Sequence, residues 1–286
     1  MKVEILGSGG ATATPRPGCR CPVCTEARAG GVTFSRTGPS TFVHGPDVLF
    51  DTPEESRIQL DRSGVTRIAG CFYSHWHPDH TMGRRVWETR NRGPFGRWPP
   101  RDFETTTIYL PRQVAADFER YVGLAEHFAF MAGRGWVQLV EVPDGEAVTL
   151  GAYTVSSLRL AESYVYAFLL EGEGRRVLVA PDELHGWDPP AEARGADLAV
   201  LPMGICEFHP LTGERRIDAD HPVLRFEATL PETLAIVEAL APRRAVLSHV
   251  EEVDGLTRAD LGLVEQKLLG EGVRVEFAYD TMLIEV

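Results

Sequence analysis

The heptapeptide SHWHPDH, residues 74–80, contains three of the nine histidines of the chain. It follows an apolar run, RIAGCFY, which predicts a β-strand. His75 and His77 are two residues apart and would point the same way on an extended chain, whereas Asp79 and His80 follow a proline and would face a second point. Imidazole and carboxylate groups together suit Zn, Fe or Mn. The heptapeptide therefore predicts a metal site at the end of a strand.

The remaining sequence predicts many strands with fewer helices, which is typical of a layered α/β domain. KVEILG predicts a first strand, STFVHGPDVLFDTP a hairpin, and residues 112–128 one helix. More strands follow, and helices are predicted near the C-terminus. We treat residues 1–286 as a single domain with inserted loops near 84–105 and 203–226. Long irregular segments in compact domains are usually functional, so we expect the loop 203–226 to be functional.

The charge of the chain limits its partners. The net charge of −12 disfavours nucleic acid, because an acidic surface repels phosphate backbones. Residues 84–101 depart from this balance with six arginines and one glutamate, and we expect them to form a rim that attracts a small anionic substrate. No apolar run is long enough for a membrane span, and no leader sequence precedes the first strand, so we expect a cytoplasmic protein.

The heptapeptide and the motifs around it resemble the metallo-β-lactamase fold superfamily. GSGG, LFDTP, VLVAPD, AVLSH and AYDTM occur in the order typical of that superfamily. The resemblance implies a four-layer αβ/βα sandwich with two facing mixed sheets and a dinuclear metal site at one edge. It also implies the ligands: one metal on His75 and His77, a second on Asp79, His80 and His249, and Asp182 between them.

One position departs from the family pattern. Where such proteins usually place another metal-binding histidine, this chain has Glu162, in LAES. A glutamate ligand would favour a harder ion such as Mn or Fe. The alternative is a solvated glutamate and a site with three protein ligands.

A second constellation is the segment GCRCPVC. Its thiols, Cys19, Cys21 and Cys24, can reach one ion, and a closed tetrahedral zinc site is structural. The cluster resembles the phosphonate-pathway cyclic phosphodiesterase branch of the superfamily, where it holds a structural zinc with a histidine as the fourth ligand. At the corresponding place this chain has Glu252. His209 and His221 in the long loop are the other candidates for that ligand, and the remaining alternative is a weak or absent zinc with reduced free thiols.

The resemblance extends to the tRNA-processing ribonuclease of the superfamily, and both relatives use a histidine as proton donor. Here the equivalent position is Glu227, with His221 as the alternative, and Asp79 is expected to act in catalysis as well as in metal binding. We therefore expect a metal-dependent hydrolase, a phosphodiesterase for a small anionic, cyclic phosphodiester. Hydrolysis of a thioester, lactone or other carbonyl compound, or a non-catalytic metal-binding or sensor role, are the alternatives. A homodimer stays open.

Overall fold

The strands lie where alternating and apolar runs predict them. The structure is a computed structural model that describes residues 1–94 and 104–286. Its strands are β1 (Lys2–Gly7), β2 (Ser40–His44), β3 (Val48–Phe50), β4 (Gly70–Phe72), β5 (Thr106–Pro111), β6 (Val137–Val142), β7 (Ala147–Leu150), β8 (Tyr153–Arg159), β9 (Tyr166–Gly172), β10 (Arg175–Val179), β11 (Leu198–Pro202), β12 (Ala245–Ser248), β13 (Glu276–Phe277) and β14 (Met282–Glu285).

The strands form two seven-stranded mixed sheets. The first has the order β14-β1-β2-β3-β4-β5-β6, and the second has the order β13-β12-β11-β10-β9-β8-β7. In the first sheet β3 to β6 run parallel, and in the second sheet β10 to β13 do so. The other pairs are antiparallel, including the predicted hairpin of β2 and β3. This arrangement confirms the predicted sandwich of two facing mixed sheets.

The main core lies between the two sheets, and strand β9 shows how the sequence builds it. Tyr166, Phe168 and Leu170 belong to the core shared with the first sheet, whereas Ala167 and Leu169 belong to a second core beneath the C-terminal helices. Successive side chains of a strand point to opposite faces. A strand that is buried on both faces therefore reads as a continuous apolar run, as YAFLL does.

Helices cover the outer faces of the sheets. They are α1 (Pro22–Gly30), α2 (Ser56–Ser63), α3 (Pro78–Thr81), α4 (Val86–Arg90), α5 (Arg112–Phe118), α6 (Leu124–Gly133), α7 (Leu230–Leu240) and α8 (Arg258–Gly270). The single helix predicted over 112–128 is instead two helices, because Val122 and Gly123 both adopt positive φ and break the chain between α5 and α6. Among the described residues no helix is both long and apolar enough to cross a bilayer.

The two predicted inserted loops differ from each other. The beginning of the first one, near 84–105, is helical because it contains α4, while residues 95–103 lie outside the described residues. The second one, 203–226, is irregular, with one 3₁₀ turn at Pro222–Arg225 and isolated bridges. It lies beside the carboxyl ends of β4, β10 and β12, which meet where the two sheets face each other.

Candidate metal centre

The first ligand group is formed where β4 and β10 end. His75 and His77 follow β4, and Asp182 follows β10. Their potential ligand atoms lie within 4.8 Å of one another, and His75 Nε2 is 3.4 Å from Asp182 Oδ2. The two imidazole rings are 4.4 Å apart. The strand end is tied to the opposite sheet, since Tyr166 N donates to Ser74 O across the core.

The second ligand group consists of Asp79, His80 and His249, again with potential ligand atoms within 4.8 Å of one another. His80 Nε2 and His249 Nε2 lie 3.3 and 3.6 Å from Asp79 Oδ2. Asp182 also faces this group, because its Oδ2 is 3.6 Å from His80 Nε2 and its Oδ1 is 3.4 Å from His249 Nε2. Asp182 thus lies between the two groups, in the position that the family resemblance implied for it. We call these residues the histidine centre: His75, His77, Asp79, His80, Asp182 and His249.

The nitrogen atoms of the histidine centre fit a metal. The Nε2 atoms of His75, His80 and His249 are buried without a hydrogen-bond partner among the described residues. Buried polar atoms normally have one, so three orphaned nitrogens at one place indicate an ion. Burial lowers the pKa of His75 well below its ordinary value and also lowers the pKa of His77, which keeps both rings neutral and able to ligate.

The charges around Asp79 and Asp182 also fit a metal site. Burial opposes the ionisation of Asp79 and Asp182, but the nearby imidazoles of His80 and His249 hold both carboxyl pKa values below their usual range. Both groups are therefore carboxylates, which are anionic oxygen ligands. Burial opposes protonation of His80 and His249, but the same carboxylates raise the pKa of both rings, that of His249 to about 10. A bound cation would replace the proton on each ring, and imidazole nitrogens with carboxylates form the donor set expected for Zn, Mn or Fe.

A fully buried aspartate orients the second ligand group. Asp51 Oδ2 lies 2.8 Å from His80 Nδ1, so the remaining nitrogen of that ring faces the centre. The same carboxylate accepts from Ser74 N and Ser74 Oγ at 2.8 and 2.7 Å, and Ser74 Oγ lies 3.0 Å from His75 Nδ1. Such partners fix the tautomer and direction of a ligand. The sequence interpretation noted LFDTP as a motif but assigned no role to Asp51.

The last glycine of GSGG, Gly10, makes room for His249. A Cβ on Gly10 would lie 2.5 Å from His249 Nδ1 and 2.3 Å from Glu251 Oε1, so only glycine fits there. Glu251 Oε2 accepts a hydrogen bond of 2.7 Å from Thr12 N, and its Oε1 is 3.9 Å from His249 Nδ1. His249 itself has a φ of 53°, a strained conformation typical of functional sites. Sequence reasoning missed both Gly10 and Glu251.

The thiols form a separate group, which we call the cysteine cluster: Cys19, Cys21, Cys24 and Glu252. The three sulfur atoms donate to the same oxygen, Glu252 Oε1, at 3.2, 2.9 and 3.1 Å. Three thiols converging on one carboxylate oxygen match the donor number of a tetrahedral zinc site. Of the three candidates for the fourth group, the structure brings Glu252 to the thiols. His209 instead lines a different surface groove, and His221 is exposed.

Comparison with known families agrees with this geometry. A family model described as "Beta-lactamase superfamily domain" matches residues 37–250, about three quarters of the chain. The chain belongs to this superfamily. Its members are mostly metal-dependent hydrolases, and the matched range contains all six residues of the histidine centre. The three cysteines and Glu252 lie outside that range.

One curated relative and several solved structures are similar to this chain. Coenzyme PQQ synthesis protein B of Methylobacterium sp. (strain 4-46) is 27% identical over 201 residues, which is 63% of this chain and 65% of that protein, just under two thirds of its length. Zinc-bound PqqB from Methylobacterium extorquens superposes with a TM-score of 0.71 at 18% identity, over all of both chains.

Two further structures have the same fold. A diphosphatase of the PhnP family has a TM-score of 0.70 at 21% identity and covers 100% of this chain and 97% of its own. The short form of human tRNase Z has a TM-score of 0.64 at 16% identity, over 100% of this chain and 99% of its own. At these identities the likeness concerns the fold.

A cavity of about 480 Å³ opens over the histidine centre. Glu162 lines this cavity but is not grouped with His75, His77 and Asp182. Val165 N donates to Glu162 O at 2.9 Å, so a tight turn fixes the backbone at this position. The described geometry does not bring Glu162 into the first ligand group, and both alternatives for this position stay predictions.

The structure separates the two candidate proton donors. Glu227 lines the cavity, as does Glu183. His221 is exposed, accepts a hydrogen bond from Val223 N and is not among the described lining residues. Burial first, and then Glu227, raises the pKa of Glu183 to about 9. Burial likewise raises the pKa of Glu227. Glu183 is a further cavity residue that sequence reasoning missed.

The predicted basic rim is not found in the described residues. Arg84 is buried and donates to Thr81 O and Val122 O, and Arg90 binds Glu104 and Thr66 O. None of the described residues of this segment lines the cavity. These two arginines instead satisfy backbone carbonyls and one carboxylate around α4, whereas Arg85 is exposed and Arg92 lies over the Trp136 ring. The remaining residues of the predicted rim, from 95 onward, lie outside the described residues.

Proposed function

We propose that this protein hydrolyses small phosphodiesters with two divalent metals, Zn, Mn or Fe, held by the histidine centre, and a structural zinc held by the cysteine cluster. The observation that carries the proposal is the position of Asp182 between two ligand groups at the base of one cavity. Two bound ions would lower the pKa of a water and offset the negative charge of phosphoryl oxygens. The fold shared with a PhnP-family diphosphatase and with tRNase Z supports a phosphorus substrate.

The residues of the chain have separate parts in this reaction. Asp51 orients the ligand histidine His80, as its contact of 2.8 Å indicates. Tyr164 lines the cavity beside His77, with ring centres 5.6 Å apart, and can donate a hydrogen bond to a substrate oxygen. Burial, together with the charge of Glu162, raises the pKa of Tyr164 to about 12, so the phenol keeps its proton.

Glu227 is the proposed proton donor to the leaving oxygen. It lies in the cavity wall, and burial raises its pKa, which favours the acid form. A proton donor matters most for a leaving group that is a strong base. Glu227→Gln should therefore lower turnover of an alkyl phosphodiester by about 10²-fold or more, and that of a p-nitrophenyl phosphodiester much less. The exposed Glu238→Gln on α7 is the control.

The test is a turnover assay of the metal-loaded protein with a panel of p-nitrophenyl phosphodiesters, thioesters and lactones. The proposal expects metal-dependent release of p-nitrophenolate as the preferred reaction. Faster turnover of a thioester or lactone would replace it with carbonyl hydrolysis. Stoichiometric metal binding without turnover of any compound would leave a metal-binding or sensor protein.

A further inference from the structure

The mouth of the cavity carries apolar side chains that no other part of the described protein covers. Phe226 is 59% exposed, more than any other large apolar residue described, and Val253 is 56% exposed. Both line the cavity over the histidine centre, and Ile205 and Val223 continue the same wall inward. Single exposed apolar residues are ordinary, but several that converge on one cavity indicate a binding surface.

This apolar wall is held by hydrogen-bonded turns. Phe226 N and Glu227 N both donate to Val223 O, at 3.0 and 2.9 Å, so Phe226 is fixed beside the proposed proton donor. Val253 belongs to the 3₁₀ turn Glu252–Asp254, which Gly255 N closes by donating to Glu252 O at 3.0 Å. The wall is therefore already formed before a ligand arrives, which reduces the entropy cost of binding.

The charges that line the cavity restrict the ligand further. Six carboxyl groups line it, whereas none of the described lining residues is Lys or Arg. The carboxyl groups belong to Asp79, Glu162, Asp182, Glu183, Glu227 and Glu251. Asp79 and Asp182 would face the bound metals, and Glu183 and Glu227 favour the protonated form. A second negative charge on a substrate, away from the metals, would have no described cationic side chain to meet it and would face the carboxyl groups of Glu162 and Glu251.

We infer that the substrate is a phosphodiester with a single negative charge, at the scissile phosphate. We also infer that the ester arm that is not the leaving group carries a neutral apolar ring, and that Phe226 binds that ring. This inference rests on the proposed function and names the substrate class. The ring would cover Phe226 and Val253, and the phosphate would face the histidine centre. Phe226 is thus a specificity-determining residue.

Three substrates with one leaving group test the inference: methyl, benzyl and 4-carboxybenzyl p-nitrophenyl phosphate. The methyl and benzyl arms are both alkyl, so the chemistry of the phosphate is nearly the same. Burial of the ring should raise kcat/KM for the benzyl ester about 10- to 100-fold over the methyl ester, mostly through a lower KM. The 4-carboxybenzyl ester should lose most of that gain, because its arm carries a second charge.

Two phenylalanines provide matched variants. Phe226→Ala should remove most of the preference for benzyl over methyl, and Phe226→Leu should keep part of it. Phe208→Ala is the control, because Phe208 is also exposed, at 44%, but lines a separate groove. A preference that is absent in the wild type, or that survives Phe226→Ala, overturns the inference.

Binding measurements separate this inference from the proposed reaction. Benzyl methyl phosphate and dimethyl phosphate have poor leaving groups, so calorimetry can record their binding to the metal-loaded protein. If no phosphodiester is hydrolysed but the benzyl compound binds at least 10-fold more tightly through Phe226, the inferred ring binding is supported and the proposed reaction is wrong. If the methyl and benzyl esters are hydrolysed equally well, the proposed reaction is supported and the inferred ring binding by Phe226 is wrong. Equal binding without hydrolysis overturns both.

Discussion

The histidine centre and the cysteine cluster assemble their ligands in opposite ways. The centre collects side chains from the ends of β4, β10 and β12, so its geometry depends on how two sheets pack. The cluster takes three thiols from the six residues 19–24 at the start of α1, and only Glu252 comes from far along the chain. The centre therefore needs the finished fold, whereas most of the cluster is local. A metal in the cluster can consequently contribute to forming the fold, and a metal in the centre to chemistry.

One short segment connects the two sites. His249, Glu251 and Glu252 lie within four residues, and each faces a different partner: the centre, the Thr12 backbone and the thiols. The segment pairs with the GSGG loop, since Val250 N donates to Ser8 O at 2.9 Å and Glu252 N donates to Thr12 O at 3.1 Å. Metal bound at the cysteine cluster would thus hold the backbone that carries His249.

The largest expected effect is on the histidine centre. His77→Ala removes a ligand imidazole, so we expect loss of bound metal at the first group and a loss of activity greater than the ~10–100-fold typical of an outer-shell partner. Elemental analysis and turnover measure this. His221→Ala, which removes an exposed imidazole, is the control and should keep metal and activity. Full metal content in His77→Ala would contradict the assigned ligand group.

The cysteine cluster should instead determine stability. Cys21 is the N-cap of α1 and accepts a hydrogen bond from Cys24 N, and serine is also a good N-cap. Cys21→Ser therefore keeps the cap while it weakens zinc binding. We expect one zinc fewer per chain and, where free zinc exceeds its Kd by about 10²- to 10³-fold, a free energy of unfolding lower by about 3–4 kcal/mol.

The control for this variant is Cys71→Ala, because Cys71 is fully buried in the main core and outside the cluster. It should keep the zinc content of the wild type. An unchanged zinc stoichiometry in Cys21→Ser would show that the thiols are free and that their convergence on Glu252 is only a hydrogen-bonded arrangement.

A smaller effect is expected at the orienting aspartate. Asp51→Asn keeps an oxygen for Ser74 N but removes the negative charge that faces His80 Nδ1. We expect metal affinity at the second ligand group to fall about 10- to 100-fold, measured by titration against a chelator. Glu88→Gln is the matched control, since Glu88 contacts His127 Nε2 in the same way outside both sites. Equal metal affinity in Asp51→Asn and the wild type would show that Asp51 does not orient His80 for metal binding.

The sequence predicted what depends on local spacing and strand order, and missed what depends on packing. The heptapeptide and the thiol segment are local patterns, and Asp182 and His249 follow apolar strands. Asp51 meets His80 from 29 positions away, and Glu251 meets Thr12 from 239 positions away. Neither pairing leaves a periodicity in the sequence. The break at Val122 was also missed, because its positive φ is unusual for a β-branched residue.

The smallest effect is expected at Glu162, which lines the cavity without joining a ligand group. Glu162→Ala should change metal affinity within about ±0.5 kcal/mol, roughly twofold in Kd, as for a substitution away from the ligands. The measurement is the same chelator titration used for Asp51→Asn, with Zn and Mn in parallel. If Glu162→Ala instead loses metal as His77→Ala does, and loses Mn more than Zn, then the Glu162 carboxylate is a hard fourth ligand of the first group. The first ligand group would then consist of four residues, with Glu162 from the turn after β8 as the fourth.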